Sequence, residues 1–169
     1  QGRGHANQCQ LFVERALQLL RPGGRLALIL PSGLATDQGC SGLRRALLND
    51  TRVDRLFGFD NRRAIFPIHR DVRFLLVTAR KGDSTDRIVC RFGLSDPQVL
   101  DDLPEGAADD PWDARAVAIS RTAVEQWDPE HVSVPWIAQS QDFEILSNLS
   151  DTVPRLSGAK RSGVAVLRL

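Results

Sequence analysis

The stretch from Phe12 to Ser32, FVERALQLLRPGGRLALILPS, decides the fold. Its first half is helical. Leu11, Phe12, Arg15, Ala16, Leu19 and Leu20 recur at helical spacing, Asn7 stands upstream as a candidate N-cap, and Pro22-Gly23-Gly24 ends the run. Its second half, Arg25 to Leu30, is almost continuously apolar between Gly-Gly and Pro31-Ser32-Gly33, the pattern of a strand buried on both faces. Open α/β sheets take their ligands at the carboxyl ends of strands, which sets Pro31-Ser32-Gly33 beside a candidate site. Many α/β scaffolds share this turn, so taken alone it gives a fold class and no function.

Working outward, residues 41–49 read as a second helix with Leu43, Ala46 and Leu47 facing inward. Residues 53–59 and 72–78 read as strands, and the polar, basic segment from Asp60 to Asp71 as a loop. A connection of about twelve residues with no crossover helix implies an antiparallel pair. Residues 25–30, 53–59 and 72–79 are therefore expected in one sheet, the last two antiparallel and the first parallel to the second. After Gly82 the character changes. Residues 83–113 carry acidic pairs and prolines and read as a linker or irregular insertion, with a short strand at 87–92. A strand at 116–119, a helix at 122–127 and an amphipathic helix at 139–149 follow, the last with Phe143, Leu146 and Leu149 on one side. Residues 157–169 have no assignable partner element.

Composition excludes several classes. At 169 residues, 42% hydrophobic, 25% charged and net charge +1, this is no disordered tail, collagen-like repeat or disulfide-rich miniprotein. No run approaches the roughly 18 apolar residues of a membrane helix, and the start lacks a signal-peptide pattern. Three scattered cysteines, Cys9, Cys40 and Cys90, point to a reducing, cytoplasmic compartment and to small buried residues. They share no metal spacing with His5, His69 or His131. Met is absent and the chain opens at Gln1, so a stretch of a longer protein is expected. The charge is split: residues 1–82 hold thirteen Arg and one Lys against six acids, a net +8, and residues 83–169 a net −7. A polyanion partner for the first half and a plain solvated basic surface both fit that split.

The run LRPGGRLALILPSG resembles the later part of a class I S-adenosylmethionine-dependent methyltransferase. With FVERAL before it and FDNRRAIFPIHRDVRF after it, residues 3–82 resemble the adenine-specific DNA N6-methyltransferases of restriction-modification systems. The resemblance implies an α/β fold: the C-terminal half of a Rossmann-like methyltransferase sheet ending in an antiparallel strand pair, then an α+β extension. It divides the chain into a partial catalytic domain, 1–82, and a linker with the start of a target-recognition region, 83–169. It also implies S-adenosyl-L-methionine as cofactor, double-stranded DNA as partner, no membrane, and a fused or associated restriction nuclease. The family's Gly-rich cofactor loop, ribose-binding acid and Asn-Pro-Pro-Tyr or Asp-Pro-Pro-Tyr tetrapeptide are not in these 169 residues, which hold no Pro-Pro pair. The chain alone is therefore expected to contribute positioning and to carry no general base.

The resemblance gives residues their roles. Phe66, with Pro67, matches the Phe before Pro that stacks on the target adenine, and Arg62, Arg63, His69 and Arg70 around it would contact DNA phosphates. Read without the resemblance, Phe66 is equally a loop anchor tucked into the sheet end, and Asp60 and Asp71 could neutralise some of the basic residues. Arg73 alternates within a strand and faces either DNA or solvent. Phe12 resembles a position that packs against the cofactor adenine; its other reading is a core residue of the first helix. Trp112, Trp127 and Trp136 read as core. Two rival functions stand beside methyl transfer to adenine. One is a DNA-binding or specificity module without catalysis, and the other a class I methyltransferase acting on RNA or protein.

Overall fold

Arg25–Pro31 (β1) receives the chain from helix Gln8–Leu19 (α1) through the Pro22-Gly23-Gly24 turn, where Gly23 takes φ +75°, a value only glycine adopts without strain. The computed structural model describes residues 8–103 and 111–152. The candidate cap Asn7, His5, part of the acidic linker and the tail 157–169 lie outside the described residues. After β1 come a single turn Gly33–Thr36 (α2), helix Ser41–Asp50 (α3) and strands Thr51–Asp60 (β2), Arg73–Lys81 (β3) and Arg87–Leu94 (β4). Strand Val117–Ser120 (β5), helix Arg121–Trp127 (α4) and helix Ser140–Thr152 (α5) complete the order. Short 3-10 turns cover Gln38–Cys40 and Pro97–Leu100.

The five strands form one mixed sheet in the order β1-β3-β2-β4-β5. β3 runs antiparallel to both β1 and β2, with Pro31, Phe59 and Phe74 in register. The expected directions hold, since β1 and β2 point the same way, and β3 lies between them. The segment between β2 and β3 contains no helix. β4 joins the far side of β2 in parallel and β5 pairs antiparallel with β4, so the sheet runs on beyond residue 83.

Strand alternation divides the core. On one face Leu56, Leu75, Val77, Ile88, Cys90, Phe92 and Ile119 meet Val13, Leu17, Leu47 and Val124 from the helices. On the other, Phe57, Phe59, Phe74 and Leu94 form a smaller cluster with Phe66, Leu100, Leu103 and Trp112. Burial of the Cys90 thiol pushes its pKa far up, which leaves it a small apolar residue.

Four faces differ from the sequence reading. β1, expected to be buried on both faces, ends the strand order and pairs on one side with β3, so only Leu30 is buried and Ala27 and Ile29 are exposed. In α1, Val13 and Leu17 are buried while Leu11, Phe12 and Leu19 are exposed. This helix is apolar on two sides, so spacing alone did not select the inward one. In α3, Arg44 is buried with Leu47 and Leu48. Its guanidinium donates to the carbonyls of Leu34, Asp37 and His131 at 2.8–3.2 Å, which replaces the water it loses. Burial nevertheless lowers its pKa. In α5, Phe143 and Leu146 pack on the core but Leu149 is exposed.

The segment 128–137 returns to the first half of the chain. Arg45 donates to the carbonyls of Pro129 and Glu130, and the Val134 amide donates to the Ala35 carbonyl. On β4, Arg91 is paired with Asp113 at 3.0 Å. Partial burial pulls the Asp113 pKa upward. The bonds from Arg91 and from the amides of Arg115 and Ala116 outweigh it and hold the carboxyl below its usual range.

Candidate nucleic-acid interface

The carboxyl ends of β1, β2 and β4 lie at one end of the sheet, and the loop 61–72 rises from it. Asn61, the first residue past β2, has no exposed surface. Its backbone pairs with Val72 at 3.0 Å, and its side chain reaches into the loop. Oδ1 accepts the Phe66 amide at 2.9 Å, and Nδ2 donates to the carbonyls of Phe66, Ile68 and His69 at 3.0, 3.0 and 3.3 Å. The Ile68 amide donates to the Phe66 carbonyl at 2.8 Å, so the chain turns sharply about Pro67. Ala64 sits at φ +54°, a conformation that costs a residue with a Cβ.

Phe66 is half-buried. Its ring meets Phe74 edge-on, with centroids 5.1 Å apart and planes at 70°. Phe74 stacks in turn on Phe59 at 5.3 Å and 7°. The loop anchor is therefore real, and it leaves part of the ring uncovered. Pro67 beside it is exposed, as are Arg62, Arg63, His69 and Arg70.

The basic residues have local partners. Arg63 pairs with Asp96 at 2.9 Å, Arg62 lies 4.0 Å from Asp60, and His69 Nδ1 lies 3.7 Å from Asp71. The Arg70 guanidinium donates to the Arg62 carbonyl at 3.0 Å. These are exposed pairs at the surface, each worth little and screened by salt, so a phosphate can compete for the cations.

Two other elements reach this end. The Ser32 amide donates to the Arg73 carbonyl at 3.2 Å, which ties the turn after β1 to the start of β3. Trp136 packs on Phe92, with centroids 4.9 Å apart, and carries the Arg73 guanidinium over its ring at 5.2 Å. Arg73 is exposed, with an indole beneath its guanidinium. Phe12 lies elsewhere, on the outward side of α1 with 60% of its surface exposed, and is no core residue. Among the described residues no cluster of three or more His, Cys, Asp or Glu side chains could hold a metal.

The structure brings Phe66, Pro67, Arg62, Arg63, His69 and Arg70 together on one loop and leaves Phe12 apart. Sequence reading missed Asn61; it read Trp136 as core, where the ring does pack, but not its contact with Arg73 at this end of the sheet. The Asn at a strand end followed by a Phe-Pro turn was the available signal for Asn61. Nothing local marks Trp136, whose partners lie far along the chain.

Comparison with known proteins adds the following. Residues 1–66 match the family described as Eco57I restriction-modification methylase. No curated protein sequence matches the chain. Among solved structures, the chain is similar to a modification subunit of a putative type I restriction enzyme from Vibrio vulnificus YJ016. The TM-score is 0.58 at 17% identity, covering 82% of this chain and 34% of that one. It is similar also to the M protein of the type I restriction enzyme EcoKI, with a TM-score of 0.62 at 16% identity, covering 94% of this chain and 45% of that one. At such identities the likeness shows the fold, and the chain spans less than half the length of either structure. The family match over residues 1–66 bears out the resemblance to restriction-modification DNA methyltransferases read from the sequence.

Proposed function

We propose that this chain is part of a restriction-modification DNA methyltransferase that moves a methyl group from S-adenosylmethionine to the N6 amine of an adenine drawn out of the duplex. The observation that carries the reading is Phe66: an aromatic ring fixed at the carboxyl end of the sheet, partly uncovered, amid Arg62, Arg63, His69 and Arg70. Enzymes that act on a base extrude it and hold it against aromatic faces, and phosphates flank every extruded base.

In this reading the uncovered part of Phe66 sets the plane of the adenine ring, and Pro67 stiffens the turn. Arg62, Arg63 and His69 exchange their carboxylate partners, and Arg70 its carbonyl partner, for phosphates. Exposed Phe12 offers a flat apolar surface of the kind an adenosine ring covers, so this residue fits the cofactor. The cofactor supplies an electrophilic methyl group on a sulfonium. Transfer of that methyl group to N6 would release the cofactor as a neutral thioether and one proton to water. Residues 1–82 supply part of the catalytic domain as the C-terminal half of its Rossmann-like sheet. Residues 83–169, whose β4 and β5 extend that sheet, lead into target recognition. A restriction nuclease is fused or associated, and the location is cytoplasmic. Among the described residues no helix is long and apolar enough to cross a membrane.

The test is transfer of tritium from methyl-labelled S-adenosylmethionine by the protein that carries this chain, offered duplex DNA, RNA or protein in turn. Label recovered as N6-methyladenine in duplex DNA is expected. Label confined to RNA or protein, or DNA binding with no transfer, would replace this reading with one of its rivals.

A further inference from the structure

We infer that Asn61 is the positioning residue of the base site. It holds the Phe66–Ile68 turn by a four-bond side-chain clamp, and so fixes where the Phe66 ring stands. The inference rests on the reading of Phe66 as the stacking surface. Its own basis is separate. A side chain with no exposed surface directs its hydrogen bonds at one loop: Oδ1 accepts the Phe66 amide, and Nδ2 donates to the carbonyls of Phe66, Ile68 and His69.

Alternatives to the clamp are few. Pro67 has no amide to donate. The Ile68 and Val72 amides are already given to the Phe66 and His69 carbonyls, within the loop itself. The edge-on contact with Phe74 orients the Phe66 ring but holds none of the loop backbone. Among the described residues, only the Asn61 side-chain amide bonds the backbone on both sides of Pro67 to the end of β2, which is paired in the sheet. Asn is the residue this needs, because it presents an acceptor and a two-hydrogen donor on one short planar group. Asp at the same place would keep the acceptor and turn an oxygen on three carbonyls.

Two measurements test this. In the 169-residue chain, hydrogen exchange should find the Phe66 amide protected. Asn61→Ala should expose it while the Leu75 and Val77 amides of β3 stay protected. In the protein that carries this chain, Asn61→Ala should slow single-turnover methylation about 10- to 100-fold with cofactor affinity unchanged, since misplacing a reacting ring by about an ångström has that effect. The double variant Asn61→Ala, Phe66→Ala should be no slower than Phe66→Ala alone, because Asn61 acts through Phe66. If Asn61→Ala fails to fold, Asn61→Ser, which keeps one donor, carries the same comparison. Additive losses, or unaltered methylation by Asn61→Ala while Phe66→Ala is slow, would overturn the role of Asn61 and leave the stacking reading intact. Full-rate methylation by Phe66→Ala would overturn both.

Discussion

Gly58 shows how closely single residues set this site. A Cβ there would run into the Phe92 ring and come within 2.7 Å of the Trp136 indole. Phe92 is buried on β4, and Trp136 of the returning segment packs on it, so neither ring can step aside freely. Gly58→Ala should therefore destabilise the protein by about 1–3 kcal/mol, the range for overpacking, seen as a lower midpoint in urea unfolding. An unchanged midpoint would mean that Trp136 sits loosely. Phe66 and its arginines were legible in the sequence because an aromatic residue in a polar, basic loop is conspicuous by type alone. Gly58, Asn61 and Arg44 were not, because what each does depends on a partner brought in by the fold. A buried Arg44 in particular inverts its residue type, and only three backbone carbonyls meeting at one point make it tolerable.

At the scale of elements, strands were easier to read than helix faces. β1 to β4 have distinctive apolar runs bounded by Gly, Pro or Asp, and their antiparallel pairing followed from a loop too short for a crossover. α1 has two apolar stripes, and propensity cannot rank them. The stripe left outside, Leu11, Phe12 and Leu19, is where the proposed cofactor contact lies. Exposure of Phe12 makes that contact separable from folding. Phe12→Ala should shift stability by no more than about 0.5 kcal/mol, as exposed substitutions do. It should weaken S-adenosylmethionine binding in the protein that carries this chain, measured by calorimetric titration. Unaltered affinity would remove Phe12 from the cofactor site.

Across the whole molecule, the split of charge into a basic and an acidic half was visible from counting, and its meaning came from the fold. Arg44 and Arg45 are directed at carbonyls of segment 128–131, Arg63 at Asp96 and Arg73 at Trp136. Part of the basic half therefore holds the acidic half in place. The surface proposed for a polyanion is the rim of the loop 61–72, where Arg62, Arg63, His69 and Arg70 are exposed together. That loop stands on a sheet whose strand ends converge there, with an aromatic ladder of Phe59, Phe74 and Phe66 beneath it.

The role of Phe66 is tested most directly by single-turnover methylation of duplex DNA by Phe66→Ala and Phe66→Trp in the protein that carries this chain, with cofactor binding measured beside it. Stacking of a base on an aromatic ring contributes roughly 1–3 kcal/mol. Phe66→Ala should then lose about ten- to a hundredfold in kcat/KM at unchanged cofactor affinity, and Phe66→Trp should retain more of the rate because it keeps a flat face. Normal methylation by Phe66→Ala, with a protein that melts several degrees lower, would contradict this. Phe66 would then be an anchor for the loop and nothing more.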